Sequence, residues 1–386
     1  MRDSFPSLRK TSKFLILALG GVLLLVLAFS IGSPRAWATQ DHAASDVWRG
    51  VTESLRRPKS KHVGPPKGSE PNYVAGSPKA NNQSYTRGLV MARTKSDDVD
   101  WVKAVAAKPY LYSVDDPTAA LRTPINKGHE AMAYLTYIID NYNLLPDISI
   151  FMHSHRHSHH NNQVFDGDAI EMIRHLSNNR VMRQGYVNLR CLHSPGCPHV
   201  LADEGAFGTA IPMQDGLRDM WDYIFPGKPP PYALEQPCCA QFAVSKERIW
   251  ATTRARYIYY RDWLLQTELD DYLSGRVFEY TWQLIFKGLT SDCEDEFICF
   301  CDVYGICFVD AEELNLWMAL FHEEERIQYR LDEEPVDKKE RAALTKRMRD
   351  YSHERQELKN TALSRGQRPE IRAEVSHRDW YMGDGF

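Results

Sequence analysis

The chain has 386 residues, 43% of them hydrophobic and 25% charged, with a formal net charge of −4 at neutral pH. This composition supplies core for one large or two ordinary domains and excludes a chain disordered throughout. The near balance of charge, without the aromatic and basic constellation of an RNA module, argues against nucleic acid as a partner.

At the N-terminus Arg2, Arg9, Lys10 and Lys13 precede an uncharged apolar run from Phe14 to Ile31. A helix of that length rises roughly 27 Å, close to the hydrocarbon thickness of a bilayer, which predicts a transmembrane signal anchor over 14–31. Ala36-Trp37-Ala38 also satisfies the small-x-small pattern of a signal peptide cleaved after Ala38. Basic residues stay cytoplasmic, so an anchored chain has a cytoplasmic tail over 1–13 and its body in the lumen of the Golgi or another secretory compartment. That is a single-pass type II membrane protein; cleavage would make it secreted. Residues 32–85, rich in Pro, Ser, Gly and Lys, read as a flexible stem, with a glycosylation sequon at Asn82.

The body opens with "RGLVMAR" (87–93), a strand-like run, followed by the acidic loop Asp97, Asp98 and Asp100. "PYLYSV" (109–114) is a second short strand. From Gly128 to Tyr142, Met132, Leu135, Ile138, Ile139 and Tyr142 recur at intervals of three and four, which predicts a helix with one buried face. "ISIFM" (148–152) reads as a buried strand, and strand, helix, strand in this order predicts an α/β domain. "CCAQFAV" (238–244) is a further strand, and helical signals fill Trp263 to Gly288. Past Phe308, Asp310 to Glu334 and Val336 to Arg365 are charged helix-formers broken at Pro335. In the first of these, Leu314, Trp317, Met318 and Phe321 form a stripe able to dock on the body.

All eight cysteines, Cys191, Cys197, Cys238, Cys239, Cys293, Cys299, Cys301 and Cys307, lie beyond the apolar run. An even number in an oxidising compartment reads as disulfides, with 105 connectivities open if all pair. The spacings do not match the paired C-x2-C knuckles of a zinc site.

"FMHSHRHSHH" (151–160) places five of the fourteen histidines behind the strand "ISIFM". As a continued strand it projects His153, His155, His157 and His159 to one face; as a helix it groups His153, His157 and His160. Either arrangement gathers imidazoles, and Asp166 and Asp168 follow closely enough to add oxygen ligands for a divalent metal. The plainer alternative is a surface loop that binds metal only adventitiously. His129-Glu130 begins like H-E-x-x-H, but Ala133 holds the second histidine position, which excludes a zincin. G-x-S-x-G, P-loop and G-x-G-x-x-G motifs are absent. Asn126-Lys127-Gly128 before a helix offers exposed amides and a cation for a phosphate or diphosphate, and is equally a plain helix entry.

"INKGHEAMAYLTYIIDNYNLLPDISIFMHSHRHSHHN", with "QGYVNLRC", "PCCAQFAVSKERI", "SGRVFEYTWQLIF" and "CDVYGICF", resembles a family of fungal secretory-pathway proteins catalogued only as a domain of unknown function. The resemblance spans roughly 86–308. More distantly, "NKGHEAMAYL" followed by "NYNLLPD" is similar to the "N-x-G-R-(D/E)" and "N-Y-x-x-L-P-D" pattern of rhamnan-synthesis-type glycosyltransferases with the GT-A fold. In those enzymes a strand ends in Asp-x-Asp, which holds Mn²⁺ or Mg²⁺ against the diphosphate of a nucleotide sugar. Here it ends in His153-Ser154-His155, and imidazole suits Mn²⁺ better than the harder Mg²⁺. His129 stands where the pattern has Arg. The resemblance further implies a nucleoside near Asp98 and Asp100, a diphosphate near Asn126, Lys127 and Gly128, Gln241 on the acceptor side, and Glu279 as the base that activates an acceptor hydroxyl.

The fold expected is therefore α/β: a GT-A-like nucleotide-binding domain with a mixed central sheet over 86–308, and a charged helical C-terminal extension over 309–386. The function expected is metal-assisted transfer from a nucleotide sugar to a glycan or small-molecule acceptor, with His153, His155, Asp166 and Asp168 as candidate metal ligands. Two other readings stand beside it. One is a different metal-dependent tailoring enzyme of fungal secondary metabolism, oxidative or hydrolytic, built on the histidines; the other is a non-catalytic, disulfide-stabilised secretory protein.

Overall fold

The computed structural model describes residues 65–74, 76–80, 83–197, 221, 223–229 and 231–379. They belong to a compact unit comprising His62–Ala206 and Trp221–Phe386. The anchor at 14–31, the cleavage pattern at Ala36–Ala38 and the sequon Asn82 lie outside the described residues. Among the described residues no helix is long and apolar enough to cross a membrane.

Five strands form one mixed sheet: β1 (Arg87–Arg93), β2 (Lys108–Ser113), β3 (Ile148–Phe151), β4 (Tyr186–Asn188) and β5 (Phe242–Ser245), in the order β2-β1-β3-β5-β4. β1 pairs in parallel with β2 and with β3, whereas β5 runs antiparallel between β3 and β4. Because β1 lies between the two strands that follow it, the chain leaves β1 first to one side and then to the other. In open α/β sheets ligands collect outside the carboxyl ends of strands at such a reversal.

Side chains alternate across the strands, and both faces are covered. One face is mainly aliphatic. Leu89, Met91, Ile148, Ile150 and Ala243 meet Ile170 and Ile173 of α2 (Ala169–His175), Val181 of α3 (Asn178–Gln184) and Val303 of α8 (Glu296–Tyr304) in a single buried cluster. The other face is aromatic. Tyr134 of α1 (Glu130–Asn141) lies 4.8 Å from Phe151, and Phe242 lies 4.8 Å from Phe151 and 5.2 Å from Trp282 of α7 (Trp282–Lys287). α4 (Lys246–Trp250), α5 (Arg254–Gln266) and α6 (Asp271–Glu279) connect β5 to α7, and α5 packs along α1.

The charged C-terminal helices are α9 (Ala311–Glu333), α10 (Lys338–Gly366) and the short α11 (Pro369–Val375). They dock by the stripe read in the sequence: Leu314 and Trp317 are buried, and Met318 and Phe321 pack against the same core. Within the segment read as stem, Tyr73 donates its hydroxyl to the Ile285 carbonyl (2.8 Å) and Lys79 pairs with Asp147 (2.7 Å), so these residues lie against the domain.

The eight cysteines form four bridges: Cys191–Cys299, Cys197–Cys293, Cys238–Cys239 and Cys301–Cys307. The strand expected over 238–244 begins only at Phe242. Cys239 and Ala240 have φ of 92° and 51°, a left-handed backbone that cannot continue a strand, and the bridge between neighbouring cysteines belongs to this loop.

Candidate functional site

At the carboxyl end of β3, beside the start of β5, the described residues enclose a cavity of about 290 Å³. Five segments build it, one of them the stretch after β4 that carries Arg190 and Pro195. His153 comes from the end of β3, with His159 and His160 from the loop beyond; Cys238 and Cys239 precede β5; His129 and Glu130 open α1; Tyr272, Arg276 and Glu279 come from α6. The α6 residues are spaced by four and three, which places them on one face of that helix.

α6 meets the start of α1 closely. The His129 amide donates to Asp271 (3.0 Å), and a Cβ on Gly275 would stand 2.8 Å from the His129 ring and 3.1 Å from the Gly128 carbonyl carbon. Glycine is thus what lets the Glu279-bearing helix approach the Glu130-bearing one. Gly128 itself turns with φ of 75°.

The two carboxyl groups differ in their surroundings. Glu279 accepts from the Cys239 amide (3.0 Å) and pairs with Arg276 (3.0 Å). Glu130 is partly buried. Burial first, and the Glu279 charge second, raise its pKa to about 7, against the opposing pull of its own amide, His129 and Arg276. It therefore holds its proton more tightly than an ordinary glutamate does.

The His153 ring Nε2 lies 2.8 Å from the Cys239 carbonyl oxygen, to which it donates, and its amide donates to Gln241 (3.2 Å). Burial lowers the His153 pKa despite that bond and Glu279, so the ring is neutral and its Nδ1 is an acceptor. The His160 ring lies tilted against two others, 4.6 Å from His153 and 4.0 Å from His159. Burial, then the neighbouring His153, His159, Arg190 and Arg276, push its pKa down to about 3. Arg190, also in the lining, is buried and donates to the His159 carbonyl (2.8 Å) and the Ser194 carbonyl (3.0 Å).

The other candidates are placed elsewhere. The histidine run is neither strand nor helix but a loop, and His155 lies outside the cavity, its Nδ1 3.4 Å from the Ser154 hydroxyl. Asp168 caps α2 by accepting from the Ile170 amide (2.8 Å) and pairs with Arg156 (2.7 Å). Asp166 pairs with Arg355 (3.2 Å). Among the described residues no group of three or more His, Cys, Asp or Glu side chains is placed to hold a metal ion. His153, His155, Asp166 and Asp168 are thus not assembled into a donor set for the expected Mn²⁺.

Of the residues expected near a donor, Asp98 accepts from the Asp100 amide (3.0 Å), Asp100 pairs with Lys103 (2.6 Å), and both acids are exposed. Asp97 accepts from the Ser154 hydroxyl (3.0 Å), which ties the end of β1 to the end of β3. Asn126 is exposed, while Lys127 is tied to the Thr267 carbonyl. Gln241 is buried and bonds to Asn161 (3.0 Å) as well as to His153.

Sequence reasoning missed Glu130, Tyr272, Arg276 and Arg190. Spacing on one helix carries Tyr272 and Arg276 alongside Glu279. For Arg190 no local signal exists, because its place depends on the loops that it bonds.

Residues 89–302, more than half the chain, match the model of the family described as "Protein of unknown function (DUF3431)". The chain belongs to that family. The matched region begins in β1 and ends in α8, so it holds the whole sheet and every segment that builds the cavity of this DUF3431 protein. No curated protein and no solved structure matches the chain.

Proposed function

We propose that this DUF3431 protein is a glycosyltransferase-like enzyme of the secretory pathway, held to the membrane through 14–31, which moves a sugar from a nucleotide donor to a hydroxyl acceptor in the cavity at the end of β3. The observation that carries this reading is the convergence of Glu130 and Glu279 on one cavity, the first raised in pKa by burial and by the Glu279 charge, the second fixed by Arg276 and an amide. Transfer to a hydroxyl needs a base matched to neutral pH. Glu130 takes that role, and Glu279 sets its proton affinity and stabilises positive charge developing at the sugar. Neutral His153 and His160 add hydrogen-bonding capacity without charge. The donor nucleoside would lie along the β1 end, at Asp97, Asp98 and Asp100, next to β3. A mixed sheet with parallel β1 and β3 is compatible with the GT-A resemblance, and four disulfides suit an exported domain.

A second reading, hydrolysis of a glycoside, is favoured by the same carboxyl pair, since most glycosidases work with two acidic side chains.

A panel of nucleotide sugars, with and without Mn²⁺, tests the first reading. A donor at 100 times its Kd stabilises the folded chain by about 2.7 kcal/mol, seen as a raised Tm. Glu130→Gln should retain that stabilisation while lowering transfer about 100-fold or more. Absence of a shift with every donor overturns the transferase reading, and sugar release from aryl glycosides without nucleotide establishes the hydrolase.

A further inference from the structure

The bridge between Cys238 and Cys239 joins adjacent residues, whereas Cys191–Cys299 and Cys197–Cys293 span 108 and 96 positions. In the chain-entropy account, closing a loop of such length strongly restricts the unfolded state, and the effect shrinks with the loop. A bridge between neighbours restrains almost nothing of the unfolded chain. Its value must therefore be sought in the folded state, where both cysteines line the cavity and Cys238 is half-exposed.

There the bridge fixes one residue, Cys239, whose two flanking peptide groups each bond to a site residue. The Cys239 amide donates to Glu279 (3.0 Å), and the Cys239 carbonyl accepts from the His153 ring (2.8 Å). Both bonds require Cys239 at φ of 92° and Ala240 at 51°, backbone that L-residues leave when nothing holds them there. The flanks are anchored independently: before the bridge the Cys238 amide donates to the Pro195 carbonyl (3.1 Å) and the Gln236 side chain to the Glu279 carbonyl (2.7 Å), and after it Phe242 of β5 pairs with Phe151 of β3. Opening the bridge thus frees Cys239, the residue that bonds Glu279 through its amide and His153 through its carbonyl, while the segments on either side stay fixed.

We infer that Cys238 and Cys239 are positioning residues of the cavity: their bridge holds Glu279 and His153 in place, and its reduction by a dithiol disengages both without unfolding the domain. The inference rests on the cavity being the reacting site. In the reduction, a thiolate of the dithiol attacks one cysteine sulfur and the S–S bond breaks. The second thiolate then displaces the cysteine from the mixed disulfide, leaving two cysteine thiols and an oxidised, cyclic dithiol after transfer of two electrons and two protons.

The test needs no substrate, so its outcome is separable from that of the transferase reading. The full chain, with ¹³C-labelled histidine, is titrated with dithiothreitol. Bridge status is followed by alkylation and peptide mass mapping, fold by circular dichroism, and the His153 ring signal, assigned through its loss in His153→Gln, by NMR. The expected result is that Cys238 and Cys239 are alkylated while Cys191–Cys299 and Cys197–Cys293 remain closed and the dichroism is unchanged. The His153 signal then shifts, the His193 signal, whose ring bonds to the Glu294 carbonyl, stays in place, and reoxidation restores His153. The double variant Cys238→Ser/Cys239→Ser should show the shifted His153 signal without reductant. An unmoved His153 signal once the adjacent bridge is open, or opening of that bridge only together with the long-range bridges and loss of dichroism, overturns the inference.

Discussion

Glu130 illustrates how a carboxyl group acquires a role from its neighbours rather than from its motif. In the sequence it belongs to a failed H-E-x-x-H, and only the folded chain shows burial and Glu279 raising its pKa to about 7. The sign of the consequence is fixed. Unfolded, the group loses its proton near 4.5, the usual value for the side chain; folded, it keeps the proton until about 7. Between these values the native state binds more protons, so stability falls as pH rises, and the deficit persists above 7. Glu130→Gln should therefore be more stable than the native chain at pH 8 and about equal to it at pH 4, a difference readable from urea midpoints at the two pH values. A variant less stable at pH 8 would contradict the burial of an ionisable carboxyl. At this scale the sequence singled out His153 from the end of a buried strand and Glu279 from the glycosyltransferase resemblance, and both line the same cavity. His155 was placed by the resemblance and Asp166 and Asp168 by their nearness in sequence; an ion pair with Arg355 has taken up the first acid, and an ion pair with Arg156 and a capping bond to Ile170 the second.

At the scale of elements, the site depends on how α6 approaches the first turn of α1. Gly275 is the contact, and its replacement by alanine would put a methyl within 2.8 Å of the His129 ring and 3.1 Å of the Gly128 backbone. The ring can give way, but the backbone of a turn at φ of 75° cannot easily follow. Gly275→Ala is expected to cost about 1–3 kcal/mol, the range of overpacked sites, and to weaken ligand stabilisation of the cavity by separating Glu279 from Glu130. Thermal melts with and without the best nucleotide sugar would measure both effects; an unchanged melt would mean that α6 has room to spare. Elements with a clear period were legible from sequence: β1 is found at 87–93 as read, and α1 at 130–141 within the run 128–142. "CCAQFAV" misled because its apolar residues satisfy a strand pattern while the bond between neighbouring cysteines forces two left-handed residues upon it. β4, three residues long, is too short for any periodicity to show.

Across the whole molecule, the sheet is covered by helices from distant parts of the chain, and one buried acid joins several of them. Asp302, near the end of α8, is fully buried and pairs with Arg180 (2.8 Å) and Arg183 (2.9 Å) of α3 and with Arg378 (3.1 Å) beyond α11. Its backbone carbonyl accepts from Arg372 of α11 (2.8 Å). None of this was legible in sequence, because the partners are separated by up to 122 positions and each resembles an ordinary surface charge. Burial alone would raise the Asp302 pKa, but the charges of Arg180, Arg183, Arg378 and Arg372 outweigh it and hold the carboxyl below its usual 3.8. Asp302→Asn keeps the shape and removes the charge, leaving buried guanidinium groups without that partner, a change that costs about 3–5 kcal/mol. The deficit should be complete at neutral pH. Because the folded pKa is depressed, the native advantage exists above 3.8 and is lost as pH falls through the lower folded value, so the urea midpoints of native chain and variant must converge in acid. A deficit equally large at pH 2 and pH 7 would show that Asp302 acts through its shape, and that the C-terminal helices are held to the sheet by packing rather than by this charge.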